Sequence, residues 1–377
     1  MMTSGAAEST TTGEGQSRWP AKSASWTGNS TPAAAAAFLR AAKRIIVVTH
    51  ARPDGDAVGS SAALVLTLRE LGINASAWYI GPLPRWINEV TSGVPWKMID
   101  ANAAASGQLE LEAQPDAVAV VDTGAWTQLE EVKLWLKGRG PQTLVIDHHL
   151  SGDPDVGDLR LIHPDAAAAA EIVALVCMEL LGLKNPADLP KPIAQLLYLG
   201  CATDTGWFRF SNTRAQTLRL AAGLLEAGVD FTRLHAMVEQ QDRPSRLRLL
   251  GRSMTGLELV ADDRIAIMSL SQKDFEDCRG DAEDAGGFPN YALDVACVRV
   301  AAVLIEVAGR PAGAPITKVS LRSKPGQPTV DVAALTKDLG GGGHARAAGV
   351  KLAMPLAEAR KFMTGKLAAA LAAAPTA

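Results

Sequence analysis

From Arg44 onward, short apolar runs alternate with longer stretches of helical periodicity. "RIIVVTH" (44–50), "NASAWYI" (74–80), "AVAVVDTG" (117–124) and "TLVIDHH" (143–149) read as strands. "DAVGSSAALVLTLRELG" (56–72) reads as a helix, with Asp56 as its N-terminal cap and Gly72 at its C-terminus. Pro53 and Gly55 keep the turn before it out of helix. "WTQLEEVKLWLKG" (126–138) is helical by periodicity. Strands separated by helices predict βαβ units and a mostly parallel sheet flanked by helices, an α/β fold. Helical pattern then dominates: "AAAAAEIVALVCMELLG" (166–182), "PIAQLLYLGCATDTG" (192–206), "TRAQTLRLAAGLLEAG" (213–228) and the charged span 231–259, a helical connector. Beyond it "RIAIMSL", "VAAVLIEVA" and "ITKVSLRS" are short strands of a smaller α+β domain, 260–370. The first domain is taken as 31–230. The Ser/Thr/Gly-rich segment 1–30 reads as a disordered leader, and the Ala/Pro-rich end 368–377 as a fraying tail.

The chain has 377 residues, enough for two domains with real cores. The formal net charge of −3 argues against a protein that coats long nucleic acid, which needs a basic excess. A small anionic substrate in a local basic pocket stays compatible with it. Cys177, Cys201, Cys278 and Cys297 form no CxxC pair, and reduced core thiols of a cytoplasmic protein are the plain reading. No apolar run of membrane-spanning length occurs, and the N-terminal segment lacks the apolar core of a secretory signal.

Polar residues gather where the strands of the first domain run out. His50, Asp54 and Asp56 follow the first strand, Asp122 closes "AVAVVD", and Asp147, His148 and His149 close "TLVIDHH". Ligands of open α/β sheets sit beyond the carboxyl ends of parallel strands, so these distant segments converge on one edge. Asp204 joins them from "TDTGWFRFSNT" (203–213). A lone aspartate at a strand end is usually a cap or turn residue, but here several coincide. Imidazole plus carboxylate without thiolate suits Mn²⁺, and less selectively Mg²⁺, Fe²⁺, Co²⁺ or Zn²⁺. Two divalent cations would neutralise Asp54, Asp56, Asp122 and Asp204, clamp a phosphate and activate a bridging water. In the second domain "GGGGHARAAG" (340–349) follows a helical stretch, and its successive N–H groups could form an anion nest near Arg322.

Taken together, "HARPDGDAVGS", "VVDTG", "VIDHH" and "TDTGWFRFSNT" resemble, in order, the four signatures of the DHH phosphoesterase family. "GGGGHARAAG" resembles the glycine signature of the DHHA1 domain that follows it. The resemblance covers about 44–352 and is nearest to the NrnA-like subgroup. It implies metal-dependent hydrolysis of short oligoribonucleotides (nanoRNA) to mononucleotides, and of 3′-phosphoadenosine 5′-phosphate (pAp) to AMP. It implies metal ligands at His50, Asp54, Asp56, Asp122, His148 and Asp204, with Asp122 bridging two ions, Mn²⁺ foremost and Mg²⁺ or Co²⁺ as alternatives. Asp147 would orient a ligand histidine, and His149 would contact the scissile phosphate and protonate the leaving oxygen. Arg322, Ser323, Gly342, Gly343 and His344 would grip the nucleotide end, with Arg209 as a further phosphate contact. A homodimer and an active-site cleft between the domains are also implied. The chain departs from the family in "LSGDPDVGD" after the double histidine and in the alanine run before Glu171.

The rival readings share the metal core. A phosphodiesterase for cyclic dinucleotides or linear pNpN would use the same ligands. A family II pyrophosphatase lacks the GGGH segment, and a RecJ-type exonuclease carries further DNA-binding domains. A regulatory module with a dead metal site would have lost ligands, whereas all six stand in this chain. Neither long duplex nucleic acid nor a membrane is an expected partner.

Overall fold

The computed structural model describes residues 25–100, 114–307 and 315–374. The chain forms two compact units, divided between Gln241 and Asp242. The division falls inside the charged span 231–259, whose two helices each bury apolar residues in their own unit: Leu234 and Met237 in the first, Leu249 in the second.

The first unit is built on six parallel strands: β1 Arg44–Val48, β2 Asn74–Ile80, β3 Trp96–Ile99, β4 Ala117–Val121, β5 Thr143–Asp147 and β6 Leu159–Ile162. Their spatial order is β3-β2-β1-β4-β5-β6. Alternate side chains point to opposite faces of a strand. Ile45 and Val47 pack under helices α1 Pro32–Arg40, α2 Gly55–Glu70, α3 Ala169–Leu181 and α4 Lys191–Asp204. Ile46 and Val48 face a second cluster with Trp126, Leu129, Val132 and Trp135. Both faces are thus covered, which is why these strands read as continuous apolar runs. The strand order reverses between β1 and β4, so the crevice at their carboxyl ends is the topological switch point of the sheet.

Several expectations are corrected here. Helix α2 is capped by Asp54, whose Oδ1 accepts from the N–H groups of Asp56 and Ala57 at 3.0 and 3.1 Å. Asp56 lies inside the first turn. Gly55 is the first helical residue; a Cβ there would sit 2.4 Å from the side chain of Thr203 in α4, so close helix approach explains the glycine. The stretch 126–138 is two 3₁₀ turns and one short α-turn, Lys133–Leu136. Its buried residues Trp126, Leu129, Val132 and Trp135 repeat every three positions, the period of a 3₁₀ helix. β3 and β6 are four residues each, too short to stand out in the pattern.

Residues 25–30, expected in the disordered leader, are ordered against β6; residues 1–24 lie outside the described residues. Asn29 explains this. Its Oδ1 accepts from Arg160 N–H at 2.7 Å, its Nδ2 donates to Asp158 at 2.9 Å, and its own N–H donates to the Arg160 carbonyl at 2.8 Å. The Arg160 side chain is fully buried and its guanidinium donates to the carbonyls of Thr27, Pro154 and Gly157.

The second unit holds a sheet of order β11-β12-β10-β9-β8-β7. Its strands are β7 Glu258–Val260, β8 Ile265–Leu270, β9 Val300–Val307, β10 Ile316–Ser323, β11 Gly342–His344 and β12 Ala347–Leu352. Only β8 and β9 pair in parallel. The helix Leu356–Ala373 covers one face through Ala359, Met363, Leu367 and Leu371, so the expected tail is helical as far as Ala373. The second half of the glycine run enters the edge strand of a tight hairpin, because Gly342–His344 pair with Ala347–Gly349. Cys297 is exposed, unlike the three buried cysteines, because it lies in the turn leading to β9. Among the described residues no helix is long and apolar enough to cross a membrane.

Candidate metal centre

The carboxyl ends of β1, β4 and β5, the start of α2 and the end of α4 converge on one cleft of about 330 Å³. Its lining includes His50, Asp54, Asp122, Asp147, His149, Ser151 and Asp204. Asp56 and His148 stand directly behind, His148 Nε2 lying 3.8 Å from Asp204 and 4.0 Å from Asp56. The six residues singled out as ligands are therefore all in one place. Asp122 adopts a left-handed backbone, φ +63°, directly after β4. Such strain in a non-glycine residue costs about 1–3 kcal/mol and clusters at functional sites.

The two carboxylate oxygens of Asp122 face different imidazoles. Oδ2 is 3.5 Å from His50 Nε2, and Oδ1 is 3.4 Å from His148 Nε2. Asp54 lies 3.8 Å from His50 Nε2. These gaps exceed a hydrogen bond. They are near the roughly 3–3.6 Å that separates donors around one ion with bonds of about 2.1 Å. Asp122 Oδ1 is buried without a hydrogen-bond partner, which a cation would supply. The donors form three overlapping groups, His50–Asp54–Asp122, Asp56–His148–Asp204 and Asp122–Asp147–His148–His149. Asp122 Oδ1 links the second of these to the first.

Backbone groups aim these ligands. His50 Nδ1 lies 3.0 Å from the Ala51 carbonyl and His148 Nδ1 3.2 Å from the Ala166 carbonyl. A carbonyl only accepts, so in each ring Nδ1 carries hydrogen and Nε2 is turned to the carboxylates. Asp56 is held by the first amides of α3: Ala169 N–H donates to Oδ2 at 2.5 Å and Ala170 N–H to Oδ1 at 2.9 Å. The alanine run thus acts through its backbone, which no side-chain pattern announces. Asp147 departs from its expected task. Its Oδ1 takes the ring Nδ1–H of His149 at 2.7 Å, together with the N–H of His148 at 2.8 Å. The ring it orients is that of His149, while the His148 ring is oriented by Ala166.

The electrostatics match a cation site. Burial alone would lower the His50 pKa, but Asp122 and Asp54 outweigh it and raise it to about 11. His148 is raised to about 10 in the same way, by Asp122, Asp56 and Asp204. Burial pushes Asp204 up to about 6, and burial with the charges of Asp122 and Asp204 pushes Asp56 well up. Burial also opposes Asp54, yet His50 and the Ala57 and Asp56 amides hold it below the usual carboxylate range. At neutral pH both imidazoles therefore carry protons that a divalent cation displaces. Calorimetry in buffers of different ionisation enthalpy should record release of protons on saturation with Mn²⁺ at pH 7. Apparent affinity should strengthen as pH rises toward the imidazole values; binding without proton release would contradict this.

Close packing behind the ligands gives a second prediction. A Cβ at Gly200 would sit 2.6 Å from Asp56 Oδ1 and 2.5 Å from Ala170 Cβ. Overpacking of this kind costs about 1–3 kcal/mol. Gly200→Ala should lower the thermal midpoint and weaken Mn²⁺ binding about tenfold, as lost support of a ligand does. A metal-binding isotherm and a melting curve check both.

The remaining predicted residues lie elsewhere. Arg209 is exposed, and its Nε donates to the Gly206 carbonyl at 2.8 Å. In the second unit Arg322 and Ser323 end β10, and Gly342, Gly343 and His344 form β11. The register places Arg322, Ala347 and His344 on one rung of that sheet. Burial lowers the Arg322 pKa, and among the described residues it makes no ion pair. Ser323 Oγ is buried without a hydrogen-bond partner.

Residues 44–201 match the model of the DHH family, N-terminal domain. This stretch of the chain is similar to the DHH family domain. All the candidate ligands but Asp204 lie within this match. A bifunctional oligoribonuclease and PAP phosphatase NrnA of Thermus thermophilus is 29% identical, over 82% of this chain and 84% of its own. A probable bifunctional oligoribonuclease and PAP phosphatase NrnA of Streptococcus mutans is 27% identical, over 83% of this chain and 91% of its own. The solved structure of an exopolyphosphatase-related protein from Bacteroides fragilis matches with a TM-score of 0.76 at 25% identity, covering 88% of this chain and 93% of that one. The matched stretch supplies every lining residue of the cleft but Asp204.

Proposed function

We propose that this chain is a metal-dependent phosphoesterase that cleaves short oligoribonucleotides to mononucleotides and converts pAp to AMP. The observation that carries the reading is the placement of Asp122, which turns one carboxylate oxygen to His50 and the other to His148 within a cluster of candidate donors. The names of the two relatives supply the substrate class. His50, Asp54 and Asp122 would hold one cation, and Asp56, His148 and Asp204, with Asp122, the other. Imidazole and carboxylate without thiolate favour Mn²⁺. When bound, such a pair polarises a phosphate ester and lowers the pKa of an attacking water.

The chain's own residues do the rest. Asp147 fixes Nδ1–H of His149, so Nε2 is the atom that holds a proton for the leaving oxygen. The His149 side chain is 55% exposed, open to substrate on the cleft side. Arg322, Ser323, Gly342, Gly343 and His344 are assigned to the nucleotide end, and Arg209 to a phosphate. Arg322, half-buried without an ion pair among the described residues, suits a phosphate oxygen.

A hydrolysis panel with Mn²⁺ tests the reading. It holds pAp, a ribodinucleotide, a 5-mer, a 24-mer, cyclic di-AMP and pyrophosphate at equal concentrations. The expected result is fast turnover of pAp and the dinucleotide, with loss of rate by the 24-mer. Preference for cyclic di-AMP or pyrophosphate would overturn the substrate assignment.

A further inference from the structure

The segment ahead of α1 reaches back to the cleft. Trp26 donates its indole N–H to the backbone carbonyl of His149 at 3.0 Å. Its ring is seated against two glycines. A Cβ at Gly124 would lie 1.7 Å from the indole, and one at Gly152 would lie 2.7 Å from it. Gly124 lines the cleft two residues after Asp122, and Gly152 follows the lining residue Ser151. The indole is thus wedged between the β4 turn and the loop after His149. The Asn29 and Arg160 hydrogen bonds clamp the same segment to β6 and fix where the indole arrives.

The loop it touches has few other ties. Asp153 N–H donates to the Gly124 carbonyl at 2.7 Å, and Asp153 Oδ2 accepts from Trp126 N–H at 2.7 Å. Between His149 and Asp153, Leu150 is 85% exposed and contributes no packing. Asp147 Oδ1 steers the His149 ring and accepts its main-chain N–H at 3.2 Å, which leaves the carbonyl side of the main chain to be held as well. A ring on a loose backbone does not keep its Nε2 in place.

We infer that Trp26 is a positioning residue for His149, and that the segment 25–30 is a working part of the active site. The inference rests on the reading of His149 given above. The indole fixes the main chain of 149–152 from behind, through one hydrogen bond and the glycine seat, and touches no substrate itself. Misplacing a reacting group by about 1 Å can cost about 10²-fold in rate. A loop partly held by Asp153 should lose less, about tenfold.

The test compares the full-length wild type with Trp26→Phe, Trp26→Ala and Gly152→Ala. The last leaves Trp26 in place and pushes its ring out of the seat. Amide hydrogen exchange of residues 149–152 is one readout and is independent of activity. The others are kcat and KM for pAp with Mn²⁺, and the thermal midpoint. The expected result is faster exchange in 149–152 for Trp26→Ala and Gly152→Ala, with kcat down about tenfold and KM within about twofold. Trp26→Phe keeps a six-membered aromatic ring and loses the N–H, and should fall between these and the wild type. Unchanged exchange in 149–152 would overturn the inference. So would faster exchange at unchanged kcat, or a loss in kcat that tracks the thermal midpoint alone. A wild type inert toward every phosphoester would overturn the functional reading instead, and the exchange arm would still decide whether Trp26 holds the loop.

Discussion

Replacing Asp122 by Asn should remove turnover of pAp and of a ribodinucleotide by about 10³-fold or more. Other carboxylates of the cluster face one imidazole at these distances or share the second one. Asp122 alone presents one oxygen to His50 and the other to His148. The amide keeps the volume of the side chain and one acceptor, but it removes the charge shared by both donor sets. Loss should therefore fall on both sites at once, and a Mn²⁺ isotherm of Asp122→Asn should show weakened binding of both equivalents. Asp54→Asn should spare one of them, because Asp54 belongs only to the His50 set. Full turnover in Asp122→Asn, or in Asp122→Ala, would remove the basis of the metal assignment.

Asp147→Asn should leave both metal equivalents bound and lower kcat by about 10²–10³-fold. Asp147 is fully buried and makes its close ring contact with His149, not with a ligand histidine. The hydrogen bond to Asp147 is the main cause that raises the His149 pKa. A protonated His149 is the form that serves a leaving oxygen. Activity then falls as pH rises through the His149 value. Without the Asp147 charge that value drops, so the alkaline limb of the kcat profile should move to lower pH. A limb that stays in place, or one that moves upward, would show that His149 does not supply the proton. A pH–rate profile measured at saturating Mn²⁺ separates the outcomes.

The central sheet and the polar residues gathered at its edge are legible in the sequence for one shared reason. A strand buried on both faces has to be apolar throughout, so the polar residue that ends it stands out. Asp122 after Val121 and Asp147 before His148 mark such ends. What stayed hidden acts through main chain or through distance along the sequence. The amides of Ala169 and Ala170 on Asp56 carry no side-chain signal. Trp26 lies 123 residues from His149 in a stretch whose composition reads as disordered, and only the Asn29 pairing with β6 reveals it. The 3₁₀ turns of the stretch 126–138 do not stand out in the sequence, because threefold and 3.6-fold periods differ little over so short a run. Asp147 shows the limit of motif reading. Its neighbour His148 and the next residue His149 are both within reach of it in sequence, and only the distances assign the partner.

The most direct test of the two-cation account is a stoichiometric titration. Metal-stripped protein at a concentration far above the dissociation constants is supplied with Mn²⁺ while release of phosphate from pAp is followed. The account predicts almost no turnover at one equivalent per chain and a rise that completes at two. Turnover that saturates at one equivalent, or that proceeds without added cation, would contradict it.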